Sequence, residues 1–233
     1  MKNIAQGYVL KEYGSWSVLT LSFLAGLGVS RSAPWQALPV FVALALLINA
    51  KQAYMKWVRR VNTARSLAIF LAQIATASVL LIGVFGRSLP QLLPLLIFPA
   101  AYLSMTRLSG EHSLITELLG FCLLSLAAVL AKFLVVEGVD VRLFVATAFY
   151  FTAGVFKIKA ILLKKNRDRV FTVLHVLLTL LVYQRFHIAW VILIPLVENI
   201  VSVVTLYRVP LKTTGWIEVA KSTVFALLLA TFF

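Results

Sequence analysis

Ten side chains of this sequence carry chemistry into places where it is costly: Glu12, Glu111, His112, Glu117, Lys157, Lys159, Glu198, Asn199, Glu218 and Lys221. Each lies within, or close to the end of, a long apolar run. Ionisable groups in such runs face a bundle interior or a water-filled cavity, and they pair. Glu218 and Lys221 are three residues apart, so on a helix they share a face and can neutralise each other. Lys157 and Lys159 sit near the end of an apolar run. They can snorkel to the interface, or they can capture a phosphate or carboxylate headgroup directly, with no metal between. Glu111 and His112 precede Glu117 by six and five residues, which is no metal-binding spacing on a helix. His175 stands alone between Thr172 and Thr179 and reads as a hydrogen-bonded interhelical group.

Other chemistries lack their residues. Cys122 is the single cysteine, so there is no disulfide and no cysteine metal site. There is no glycine-rich phosphate loop and no nucleophile elbow. No cofactor is expected. The ten side chains instead predict a polar cavity that takes an amphiphilic or anionic small molecule such as a lipid, quinone or isoprenoid.

The elements that must hold these residues are helices of a membrane bundle. The chain has 233 residues, 61% hydrophobic and 13% charged, more apolar than soluble domains are. The apolar residues come in blocks long enough to cross a hydrocarbon core. The reading is all-α: a single polytopic domain over 1–233 with nine spanning helices. They are expected at about 14–30, 34–50, 65–85, 88–106, 114–136, 142–163, 169–184, 187–207 and 214–233. The first run carries no cleavage pattern and reads as a retained helix. Only Gln184-Arg185-Phe186-His187 separates the seventh helix from the eighth, which predicts a tight hairpin there. Pro195 beside Glu198 is a candidate break.

Charge sets the orientation. The formal net charge is +14, yet nucleic acid is excluded as a partner, because the cations sit in short loops between spans. With the N-terminus in the cytoplasm, sixteen basic residues fall on the cytoplasmic side. They include Lys2, Lys11, Lys51, Arg60, Arg107, Arg208 and the run Phe156–Arg169. Arg31, Arg87, Arg142 and Arg185 fall outside, and Lys132 and Lys221 lie within helices. That asymmetry is a positive-inside pattern of a cytoplasmic (inner) membrane protein with its C-terminus outside. All ten candidate residues then lie in the cytoplasmic half, and membrane lipids are the expected partners. Trp16, Trp35, Trp57, Trp190 and Trp216 lie near expected helix ends, as interfacial tryptophans do.

Four segments carry a resemblance: KEYGSWSVLTLSFLAGL (11–27), GEHSLITELLGF (110–121), FYFTAGVFKIKAILLKKNRDR (149–169) and TGWIEVAKSTVFALLL (214–229). They resemble the YwiC-like family of bacterial membrane proteins. Where that family reads Glu-His-Gly-Ala-Trp near the N-terminus, Tyr13 and Ser15 replace the histidine and the alanine. A more distant likeness is to UbiA-type prenyltransferases, which have nine helices and a cavity facing the cytoplasmic leaflet. That likeness implies two aspartate-rich motifs holding magnesium. The corresponding stretches here are 47–60, with Asn49 and no aspartate, and 156–169, with Asp168 alone. Magnesium-dependent prenyl transfer is therefore not expected. A divergent transferase of that fold and a small-solute transporter are the alternative readings.

Overall fold

The computed structural model describes residues 12–205 and 210–233, so Lys2, Lys11 and Arg208 of the charge count lie outside the described residues. Among the described residues every regular element is helical. The helices are α1 Tyr13–Ser30, α2 Ala37–Val58, α3 Thr63–Phe85, α4 Leu89–Leu92, α5 Ile97–Ser109, α6 Leu114–Phe133, α7 Val141–Leu163, α8 Asn166–Arg185, α9 Val197–Thr205 and α10 Leu211–Phe232. Short 3-10 segments flank α4, and another, Trp190–Leu196, leads into α9.

By length and apolar composition, five helical stretches can cross a membrane: Ala37–Val58, Thr63–Ser109, Leu114–Phe133, Val141–Leu163 and Lys212–Phe232. The second counts 47 residues, more than twice the number that a hydrocarbon core needs. Its hydrogen-bond pattern changes where Gly86 takes a φ of +43° and where Pro90 and Pro94 fall in succession. Each proline removes a backbone donor. The expected boundary at 86–88 is therefore a change of helix type, not a loop.

Two other expected boundaries shift. The second helix does not stop at 50 but runs to Val58, because hydropathy marks the hydrocarbon edge and a helix can carry Lys51 and Lys56 beyond it. Arg60 and Asn62, with φ of +56° and +47°, turn the chain. The fifth expected helix stops at Phe133, not 136. Lys132 thus lies in the last turn of α6, not in a helix interior, and meets Asp140 at 2.5 Å. Asp140 also caps α7 through its Oδ1, which accepts from the Leu143 N–H at 3.0 Å. The hairpin near 185 is present. His187 has a φ of +54°, and Ile188 N–H donates to the Tyr183 carbonyl at 2.8 Å.

The chain divides into two compact units, one of Met1–Tyr13 and Pro34–Pro94, the other of Gly14–Ala33 and Leu95–Phe233. In the first, α2 and α3 form a hairpin in which Tyr54 packs on Trp57 and Phe70, with ring centroids 5.9 and 5.6 Å away. In the second, Tyr150 and Phe225 stack with centroids 3.6 Å apart, and the fully buried Tyr183 hydroxyl donates to the Ala146 carbonyl at 2.9 Å. Close approach of α1 to α6 depends on Gly26: a Cβ there would overlap the Ala128 carbonyl and lie 2.9 Å from its Cα. Small residues at helix crossings of this kind suit a bilayer, where packing replaces hydrophobic burial as the driving force. Outward, α8 exposes Val170, Phe171, Leu174, Leu177, Leu178 and Leu181, an apolar face of the kind that meets lipid.

Candidate functional site

Three helices of the second unit bring five of the ten candidate side chains together. Lys157 comes from α7, Glu198 and Asn199 from α9, and Glu218 and Lys221 from α10. Lys157 lies six residues before the end of α7, and Lys221 ten residues after the start of α10. Those are depths of about 9 and 15 Å along their helices. Both are measured from the ends that adjoin the α7–α8 and α9–α10 connections.

Lys157 donates to both oxygens of Glu198, at 2.7 and 2.5 Å, and to Oε1 of Glu218 at 2.6 Å. Lys221 donates to Oε2 of Glu198 at 2.7 Å, to Oε1 of Glu218 at 3.0 Å and to Oδ1 of Asn199. An ammonium has three donors, so each lysine is saturated. Glu198 accepts from Lys157 on both oxygens, from Lys221 on Oε2, and from the Ser202 hydroxyl on Oε1 at 2.5 Å. All its lone-pair positions are used. Two ammonium and two carboxylate charges cancel, which is how a buried cluster avoids the cost of net charge.

Three positions stay open among the described residues. Oε2 of Glu218 makes no hydrogen bond. It lies 3.7 Å from where a Cβ on Gly154 would stand, beside a backbone with no side chain to cover it. Nδ2 of Asn199 is buried without a partner. The Tyr150 hydroxyl, also buried, faces Glu218 and Ser222 but meets neither at hydrogen-bonding geometry. Glu198 and Glu218 keep 31% and 25% of their side chains exposed, whereas Lys157 keeps 1%. The cluster thus reaches the surface through its carboxylates.

Lys157 corrects an expectation. It neither snorkels nor stands at the mouth of a cavity with free positive charge, because two carboxylates from α9 and α10 draw it inward. Lys159, two residues on and therefore on another face of α7, pairs instead with Glu117 of α6 at 2.9 Å. Glu12 pairs with Lys51 at 2.9 Å within the first unit. Glu111 is half-buried and His112 exposed in the turn before α6. The expected pairing of Glu218 with Lys221 is present at 3.0 Å. His175 is the interhelical group expected, but its partners lie on α7: Nε2 is 3.2 Å from Thr152 Oγ1 and 3.1 Å from the Phe149 carbonyl.

Tyr150, Ser202 and Ser222 were not singled out in the sequence. Helical spacing was the available signal. Positions 150, 154 and 157 follow i, i+4, i+7; Ser202 is four after Glu198; Ser222 is four after Glu218.

A second polar group occupies the other end of α6 and α7. Beside the Lys132–Asp140 pair, Lys132 and Arg142 each stand 5.3 Å from the centroid of the Phe233 ring, and Arg142 donates to the His187 carbonyl at 3.2 Å. Partial burial, the largest single effect, opposes ionisation of Asp140, but the hydrogen bond and charge of Lys132 together with the Leu143 and Arg142 amides outweigh it. Its carboxyl is held below the usual carboxylate range.

Apolar helices of spanning length, small-residue crossings and a neutralised interior charge cluster define an integral membrane protein of all-α fold. The chain belongs to the YwiC-like family: the family model described as YwiC-like protein matches residues 9–132. That match includes Glu12, Glu111, His112 and Glu117, and ends before the α7–α9–α10 cluster. No curated protein and no solved structure matches the chain.

Proposed function

We propose that this protein binds an amphiphile whose polar headgroup sits at the Lys157–Glu198–Glu218–Lys221 cluster, within the cytoplasmic half of the membrane. The observation that carries this reading is the pair of buried, unpartnered donors, Tyr150 Oη and Asn199 Nδ2, beside a saturated charge cluster. Leaving such donors unsatisfied costs about 1–3 kcal/mol each, and a headgroup oxygen removes that cost. The hydrocarbon part of the ligand would lie among apolar helix faces. This placement takes nine crossings, with the 47-residue stretch counted as two, and a cytoplasmic N-terminus. The cluster then falls on the side of the basic segment 164–169, and the Lys132–Asp140 end faces outward in the inner membrane. Glu117 and Lys159, with Glu111 and His112 nearby in sequence, would form the rim on that same side.

The test is native mass spectrometry of protein released from its own membrane. Wild type should retain one enriched amphiphile, and a Tyr150→Phe variant, which removes one open donor and no contact of either lysine, should lose it. Equal, unselective lipid retention by both would refute the reading.

A carrier is the second reading. It is favoured by the 3-10 segment Trp190–Leu196, which contains Pro195 and ends beside Glu198. Interrupted helices at a polar site are what carriers use. Uptake of the retained ligand into proteoliposomes would separate transport from binding.

A further inference from the structure

The cluster also constrains the charge of its ligand. Sequence alone suggests a cationic rim waiting for an anion. The geometry points to the opposite: we infer that the site selects an electrically neutral, hydrogen-bonding headgroup, such as a hydroxyl, a quinol or an amide, and discriminates against an anion of the same shape. This rests on the binding reading above.

The argument is a count of open positions. All six ammonium donors of Lys157 and Lys221 already have acceptors. Every lone-pair position of Glu198 is taken as well. What remains open is one acceptor, Glu218 Oε2, and two donors, Asn199 Nδ2 and Tyr150 Oη. A hydroxyl matches both kinds: it donates to the glutamate oxygen and accepts from the amide or the phenol. A carboxylate or phosphate monoanion has no proton for Glu218 and would be repelled by it. It would also give a neutral, largely desolvated cluster a net negative charge, which a low-dielectric surrounding penalises.

Among the described residues, the elements packed around the cluster bring no further cation to it. Lys159, on another face of α7, is held by Glu117. The histidine of α8, His175, meets Phe149, Thr152 and Phe156 on α7.

The same count names Glu218 as the residue that sets this selectivity. It holds both lysines with a single oxygen and presents the other to the ligand. Glu218→Gln keeps the shape and an acceptor for the lysines but leaves the cluster with one surplus positive charge. The preference should then turn towards anions.

The experiment uses the full chain in nanodiscs of neutral lipid at about pH 8, titrated with oleyl alcohol and with oleate, which share a hydrocarbon chain and differ in headgroup charge. Wild type should bind the alcohol at least about tenfold more tightly, and Glu218→Gln should reverse the order, an effect a purely structural glutamate would not produce. Asp140→Asn, whose pair with Lys132 lies at the other end of α6 and α7, should leave the order unchanged. Oleate bound as tightly as the alcohol by wild type, or an order unaltered in Glu218→Gln, would overturn the inference while leaving the binding site itself in place. Binding of neither probe by wild type would overturn the inference together with the amphiphile reading on which it rests.

Discussion

Replacing Lys157 by methionine tests whether the cluster is a single electrostatic unit. Methionine keeps the unbranched stem and removes the ammonium. Glu198 and Glu218 then share Lys221 alone, and one negative charge is left uncompensated. The three lost contacts measure 2.5–2.7 Å. At an effective dielectric constant near 20, a unit-charge pair at that separation is worth about 6 kcal/mol before desolvation. Two carboxylates are served, but both remain partly exposed, and the desolvation of the lysine itself is recovered. The net loss expected from removing one partner of a buried pair is about 3–5 kcal/mol. For a chain of this size that lowers the melting temperature by roughly 10 °C. Glu218→Gln alone should cost less, about 1–2 kcal/mol, because its amide oxygen still accepts from both lysines. The double variant Lys157→Met/Glu218→Gln restores neutrality with one lysine and one glutamate. It should therefore be more stable than Lys157→Met alone, although it carries a second substitution. Thermal unfolding of the four proteins in one detergent, read as a double-mutant cycle, measures this coupling. Strictly additive losses, or a Lys157→Met protein that melts with wild type, would show that the charges do not act together.

Three further outcomes are expected. Gly26→Ala should force α1 away from the Ala128 backbone and cost at least about 2 kcal/mol; recovery of monodisperse protein and its melting temperature report it, and an unchanged melt would refute the close approach. The depressed carboxyl of Asp140 contributes stability that is fully present above its unfolded value of about 3.9 and is lost as pH falls through the lower folded value; wild type should therefore lose this contribution only in acid, and Asp140→Ala should be destabilised by about 1–2 kcal/mol at neutral pH through loss of cap and pair, with a flatter acid limb in melts taken across pH. In a Cys122→Ala background, Arg60→Cys should resist a membrane-impermeant maleimide added outside intact cells and Arg185→Cys should react; the reverse pattern would invert the proposed orientation.

Much of the fold was legible because the bilayer imposes simple rules. Apolar block length, proline and glycine positions and the distribution of lysine and arginine depend on local sequence. The helices accordingly fall close to their expected places, and the hairpin at Arg185–Ile188 is where four polar and aromatic residues suggested it. Boundaries failed where hydropathy and helicity part company, as at Lys51–Val58, where a helix continues past the apolar block, and at 134–136, where apolar residues continue past the helix. The 3-10 segment before Glu198 was visible only as a lone proline.

The candidate site divides in the same way. Sequence identified which side chains are costly in a membrane, and for Glu218 and Lys221 it also gave the partner, because both lie three apart on one helix. It could not show that Lys157 belongs with them while Lys159 belongs with Glu117, since that depends on which neighbours α7 turns towards. Nor could it show saturation. Whether a lysine is a free cation or a spent one depends on carboxylates 41 and 61 residues away, and only packing of α7, α9 and α10 brings them within reach. Residue types therefore fixed the charges, the membrane and the family. Tertiary structure decided that those charges cancel, leaving Tyr150, Asn199 and one oxygen of Glu218 as the groups still open to a ligand.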